Sequence, residues 1–173
     1  MAFTFVVETG AGDPAANSYC DVQFADDYIY ANVYSNTAWA ALEDEDKERF
    51  LVRASKYLDR TVQWAGEKVE EDSGLRWPRA GVYDVDGFLI PSDAIPQQLM
   101  EATAEMAAAL LNNDWTSPQT TRGMKEIQVD VIELKFDTEV QRGSMPDIVM
   151  QILEGLGVVK TGQRPAFKKI IRH

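Results

Sequence analysis

The chain has 173 residues, 45% of them hydrophobic and 26% charged, an ordinary make-up for a soluble globular protein long enough to bury a core without disulfides or metals. Its net charge of −11 argues against a general DNA-binding surface, since phosphate contact needs Lys and Arg. The single cysteine, Cys20, excludes an intramolecular disulfide framework; no run of about 18 apolar residues is present to span a membrane, and the first residues lack the pattern of a secretory signal.

Phe3 to Val7 is a short β-prone run, and Glu8 to Asn17 reads as a loop. Its Gly10-Ala11-Gly12 is no dinucleotide fingerprint, because the third glycine and a strong preceding strand are missing. Asp21 can cap a helix running to about Ala31, with Val22, Ala25 and Ile29 on one face. Ser35-Asn36 breaks it. A second helix is predicted from Leu42 or Glu43 to about Trp64, with Glu43 to Asp46 at the positive end of its dipole. Its expected buried stripe is Phe50, Ala54, Tyr57, Leu58, Thr61 and Ala65. Glu67 to Gly74 reads as an exposed acidic loop.

Trp77-Pro78-Arg79 then leads into two β-prone runs around Asp86-Gly87, a strong hairpin signal that places a hairpin at about 82–91. Pro96 suits the first position of a helix to about Asn112, because its missing N–H would be unpaired there. Leu99, Thr103, Met106, Ala107 and Leu110 make the apolar face, and Ala102, Ala104, Ala108 and Ala109 allow close helix approach. Over 125–136, Ile127, Val129 and Val131 alternate with polar residues and then the parity flips to Ile132, Leu134 and Phe136. That pattern predicts one bent or bulged strand. Pro146 opens a short helix through Glu154, with Ile148 and Ile152 inward, stopped by Gly155 and Gly157. Gly162 to His173 has neither period and reads as an extended tail. Lys160, Arg164, Lys168, Lys169 and Arg172 fall in the last fourteen residues, with no Asp or Glu among them.

The expected fold class is therefore mainly α: a small bundle of three to four helices with a β-hairpin, a further bent strand and an extended C-terminal arm. The expected division is a helical domain over 1–157 and a basic arm over 158–173.

Catalytic constellations are weak. His173 is the sole histidine, so a His-based triad or a His-rich metal site is not expected. Cys20 has no base to activate it and reads as a buried structural residue. Asp84, Asp86 and Gly87 resemble the opening of a calcium loop, but Ile95 stands where the closing glutamate belongs. Asp26/Asp27, Asp44/Glu45/Asp46 and Glu70/Glu71/Asp72 read as caps or solvated faces. Trp39, Trp64, Trp77 and Trp115 can stack on bases, yet no basic groove is interleaved with them, and core or subunit-contact roles fit better. No enzyme activity, metal or cofactor is expected.

Several segments in order carry a likeness: Gly10-Ala11-Gly12 to Ala16-Asn17-Ser18-Tyr19, Ala25-Asp26-Asp27-Tyr28, Ala54-Ser55-Lys56-Tyr57-Leu58-Asp59, Trp64-Ala65-Gly66, Leu75-Arg76-Trp77-Pro78-Arg79-Ala80-Gly81-Val82, Asp86-Gly87 and Ile95-Pro96-Gln97-Gln98-Leu99. Over about the first two-thirds of the chain the sequence resembles the head–tail connector (adaptor, or head-completion) proteins of tailed phages. Many of these carry the label DnaT-like single-stranded-DNA-binding protein. Trp77, Pro78, Arg79, Asp86, Gly87 and Pro96 form the most specific combination and are expected to define the fold.

The resemblance implies a structural virion protein of the phage neck. It would form a homo-oligomeric ring, usually of twelve copies, under the portal protein, and dock the tail or the next neck protein. Genomic double-stranded DNA would pass through without sequence recognition, with no membrane involved and assembly in the host cytoplasm. In relatives with this plan a C-terminal arm reaches the portal, which here points to Arg164, Phe167, Lys168, Lys169, Ile170, Ile171, Arg172 and His173. Glu101 and Glu105, away from the apolar stripe, are candidates for an acidic channel wall that repels phosphates; ordinary solvated positions explain them equally well. The alternative, which the family label suggests, is a single-stranded-DNA-binding replication accessory protein.

Overall fold

The structure, a computed structural model, describes residues 4–32, 36–115, 126–129, 132–135 and 145–160, the stretches 126–129 and 132–135 by their backbone. Asp21 caps the first helix as expected, its carboxylate accepting the Phe24 amide at 2.7 Å, and α1 runs Val22–Ala31. A short helix, α2 (Asn36–Ala40), stands where the sequence suggested only a break. Trp39 explains it: the indole is 2% exposed, and its Nε1 donates to Asp26 of α1 at 2.7 Å.

The longest helix, α3, runs Asp44–Thr61, with three acidic residues in its first turn and Arg60 in its last, both favourable to the helix dipole. Its buried residues are Lys47, Leu51, Val52, Ala54, Ser55 and Leu58. The helix is thus rotated from the expected stripe: Ala54 and Leu58 are buried, but Phe50, Tyr57 and Thr61 are only half-buried at the flank. It also ends three residues early. Val62–Trp64 leaves as strand β1, pairing antiparallel with residues 157–159. Val62 and Trp64 face inward and Gln63 outward, a period-two pattern that a strand buries and a helix cannot.

The acidic loop is anchored more firmly than expected. Strand β2 (Glu67–Lys68) pairs with β3 (Arg79–Ala80), and Ser73 is buried. The hairpin at 82–91 is present, held by the Tyr83–Leu89 bridge, Asp84 N–H to Phe88 O at 2.9 Å and Ile90 N–H to Val82 O at 2.9 Å. Asp84 Oδ1 accepts the amides of Asp86 and Phe88, and Gly87 takes φ 85°, so Asp86-Gly87 forms the turn and not a metal loop. Pro96 lies one position earlier than expected, as N-cap of α4 (Gln97–Asn112). Leu99, Thr103, Met106, Ala107 and Leu110 are all buried, with Ala102, Ala104 and Ala108 beside them.

The bent strand predicted over 125–136 is instead a hairpin: β4 (Glu126–Val129) pairs antiparallel with β5 (Ile132–Lys135), with Val129 opposite Ile132. The parity flip marks where the chain reverses. In α5 (Asp147–Ile152) the inward residue is Val149; Ile148 is 47% exposed, so the expected face is off by one residue. Gly155 at φ 86° ends this segment, and β6 (Gly157–Val159) returns to β1. Five helices thus replace the expected three to four. α3 packs mainly on α4, and α1 and α5 pack on α4 as well. One continuous core joins Tyr19, Leu51, Leu58, Trp77, Leu99, Met106, Met145 and Leu153.

Candidate nucleic-acid interface

The signature segments converge on one buried node. Tyr19 Oη donates to Asp59 Oδ1 at 2.6 Å, Trp64 Nε1 donates to the same oxygen at 3.0 Å, and the Arg76 amide donates to Asp59 Oδ2 at 3.2 Å. Burial raises the Asp59 carboxyl above its usual range, while these donors pull it back down. Burial together with the Asp59 charge pushes the Tyr19 hydroxyl well up. Below the node, Trp64 and Trp77 meet edge to face at 6.0 Å and 87°. The Arg79 guanidinium donates to the carbonyls of Ala65, Gly66 and Arg76. Trp77, Pro78 and Arg79 therefore act as a structural clasp between β1 and the segment before the hairpin.

Other candidates are likewise occupied by the chain itself. Glu8, 2% exposed, receives the amides of Gly10 and Gly12 at 2.9 Å and of Asp13 at 3.0 Å. The glycine loop is a true anion nest, filled by an internal carboxylate. Asp26 holds the Lys47 ammonium at 3.0 Å and the Trp39 indole, beside a cavity of about 370 Å³. Cys20 is 1% exposed, and burial pushes its thiol up to about 12. Among the described residues no three His, Cys, Asp or Glu side chains gather in a metal-holding group.

Glu101 and Glu105 do not line a free wall. Both are half-buried; Glu101 accepts Gln97 Nε2 at 2.8 Å, and Glu105 accepts the hydroxyl of Tyr28 on α1. Burial raises the Glu105 carboxyl, and burial plus the two glutamates pushes Tyr28 up to about 12. The arm from Arg164 to His173 lies outside the described residues.

The chemistry missed in the sequence is on α3. Arg49, Arg53, Lys56 and Arg60 follow the spacing i, i+4, i+7, i+11 and are all exposed. They form a straight cationic ridge about 16 Å long on the side opposite Leu51, Ala54 and Leu58. Half-buried Phe50 and Tyr57 flank it, and the Tyr57 hydroxyl reaches the Trp115 carbonyl at 3.4 Å. The ridge is not uniform. Arg49 is paired with Glu45 at 2.6 Å and Asp46 at 3.0 Å, and Arg53 with Asp114 at 3.6 Å. Lys56, Arg60 and Lys160 make no ion pair with any described residue. Lys160 Nζ lies over the Arg60 carbonyl at 3.3 Å, so the free positive charge collects at the C-terminal end of α3. The helical spacing of the four cations was the available signal; the overall acid excess hid it.

Fold and ridge together define a small helical module with one concentrated cationic edge on an otherwise acidic body. A family model described as "Putative DnaT-like ssDNA binding protein" matches residues 3–173, and the chain belongs to that family. No curated protein and no solved structure matches it. The match overturns the expectation of a phage neck adaptor. The family it shows is described by single-stranded-DNA binding; nothing in the match supports a virion ring, a portal or tail partner, packaging, or passage of double-stranded DNA. The expectation leaned on motifs that the structure uses to hold the fold, and such motifs do not distinguish what the fold is used for.

Proposed function

We propose that the protein binds single-stranded DNA as a non-catalytic accessory factor, with the C-terminal half of α3 as the contact surface. The observation that carries this reading is the ridge Arg53–Lys56–Arg60, continued by Lys160 and flanked by Phe50 and Tyr57. Single strands are held by cations that follow the backbone and by aromatic faces that accept bases of any sequence. Family membership supports the same ligand. The acidic remainder of the chain limits contact to this edge, so binding is sequence-tolerant, weak at physiological salt and steeply salt-dependent, with Kd on the order of 10⁻⁴–10⁻⁶ M.

The test is fluorescence anisotropy of a labelled oligothymidylate of about twenty nucleotides at low salt. Lys56→Glu with Arg60→Glu is expected to weaken binding at least about tenfold, since two phosphate partners become repulsive. Equal affinity of this double variant and the wild type contradicts the reading.

A further inference from the structure

The tail singled out by its charge has a defined point of departure. β6 closes on β1, and the next residue, Lys160, donates its backbone N–H to the Thr61 carbonyl at 2.7 Å, while its ammonium caps the Arg60 carbonyl. Whatever follows Lys160 therefore leaves the body at the unpaired end of the α3 ridge. Residues 161–173 lie outside the described residues, but their composition is plain: Arg164, Lys168, Lys169 and Arg172 with no carboxylate side chain.

We infer that the ridge and the segment after Lys160 form one composite site in series: a single strand lies along α3, passes Lys160 and is gripped by the tail cations beyond. The inference rests on the single-strand-binding reading above and adds a second contact segment to it. Three things on the page favour a nucleic-acid strand for the tail over an acidic protein cleft. The tail begins beside unpaired cations, which repel it from folding back along α3. A strand that leaves Arg60 meets the tail without turning. Thirteen residues extend up to about 43 Å, enough to follow a strand well past the body. The tail's ordering entropy falls due only on binding, which keeps affinity modest while increasing salt sensitivity.

Counterion release makes this measurable. Contacts from Lys56, Arg60 and Lys160 alone give a slope of log K against log salt of about −2 on single strands, and adding the four tail cations brings it to about −5. The experiment uses the full chain and the same oligothymidylate, titrated at several salt concentrations. The variants are the tail-neutralised chain (Arg164→Gln, Lys168→Gln, Lys169→Gln, Arg172→Gln) and the ridge variant (Lys56→Glu, Arg60→Glu). Circular dichroism checks that each is folded.

The expected result is a wild-type slope near −5, falling to about −2 in the tail-neutralised chain, with affinity at low salt at least about tenfold lower. A tail-neutralised chain that keeps the wild-type slope, while the ridge variant loses binding, overturns this inference and leaves the ridge reading standing. Loss of binding on tail neutralisation with no effect of the ridge variant overturns the series arrangement and the ridge reading together. No binding by the wild type overturns both.

Discussion

The backbone of Lys160 donates to the carbonyl of Thr61 at 2.7 Å, although 99 positions separate them, and this bond fixes the last described strand to the final turn of α3. It sets the free cations Lys56, Arg60 and Lys160 in one place. Lys160 also supplies positive charge where the helix C-terminus leaves carbonyls unpaired.

The ridge is graded, so its single substitutions should not be equal. Arg49→Ala removes a guanidinium already held by Glu45 and Asp46, and single-strand affinity should change less than about twofold. Arg60→Ala removes an unpaired cation and should cost about threefold to tenfold, with the salt slope about 0.7 shallower. Anisotropy titrations of the two variants side by side check the order.

The Asp59 node should dominate the stability of the clasp. Asp59→Ala leaves the Tyr19 hydroxyl, the Trp64 indole N–H and the Arg76 amide without their acceptor, and should cost roughly 3 kcal/mol in urea unfolding. Asp59→Asn retains one acceptor oxygen and should cost less.

Gly10 cannot accept a side chain. At φ 105°, an added Cβ would lie 2.1 Å from the Asp93 carbonyl oxygen, which is backbone and cannot swing away. Gly10→Ala should destabilise the fold by about 2 kcal/mol or more and loosen the amides that hold Glu8, read as a lower urea midpoint.

Much of this fold was legible. The Asp21 cap, the buried face of α4 and the Asp86-Gly87 turn each depend on a few neighbouring residues, and local pattern found all three. The misses are long-range. The end of α3 is decided by pairing with Gly157–Val159, nearly a hundred residues away, and α2 exists because Trp39 finds Asp26. For the site, motif likeness drew attention to Trp77, Pro78 and Arg79, which are clasp residues, while the four cations of α3 were present in the sequence but averaged away by the net charge. A helix separates charge onto faces, and a chain-wide sum discards that separation.

Glu105 should act as a pH-dependent cost at the α1–α4 contact. Burial raises its folded pKa above the unfolded value, so the stability it confers is complete in acid, where it is protonated, and is lost as pH rises through the folded pKa. Glu105→Gln keeps an oxygen for the Tyr28 hydroxyl without the charge. Its Tm should exceed the wild type's at pH 7, and the gap should close toward pH 4.

Where the strand lies is best read directly from amide chemical-shift changes in the full chain titrated with an oligothymidylate at low salt. The largest changes are expected over Arg53, Lys56, Arg60 and Lys160, with Tyr28 and Glu105 on the α1–α4 side unmoved. Shifts absent from α3, or centred instead on the exposed hairpin at Tyr83, Phe88 and Leu89, would contradict the cationic ridge as the site.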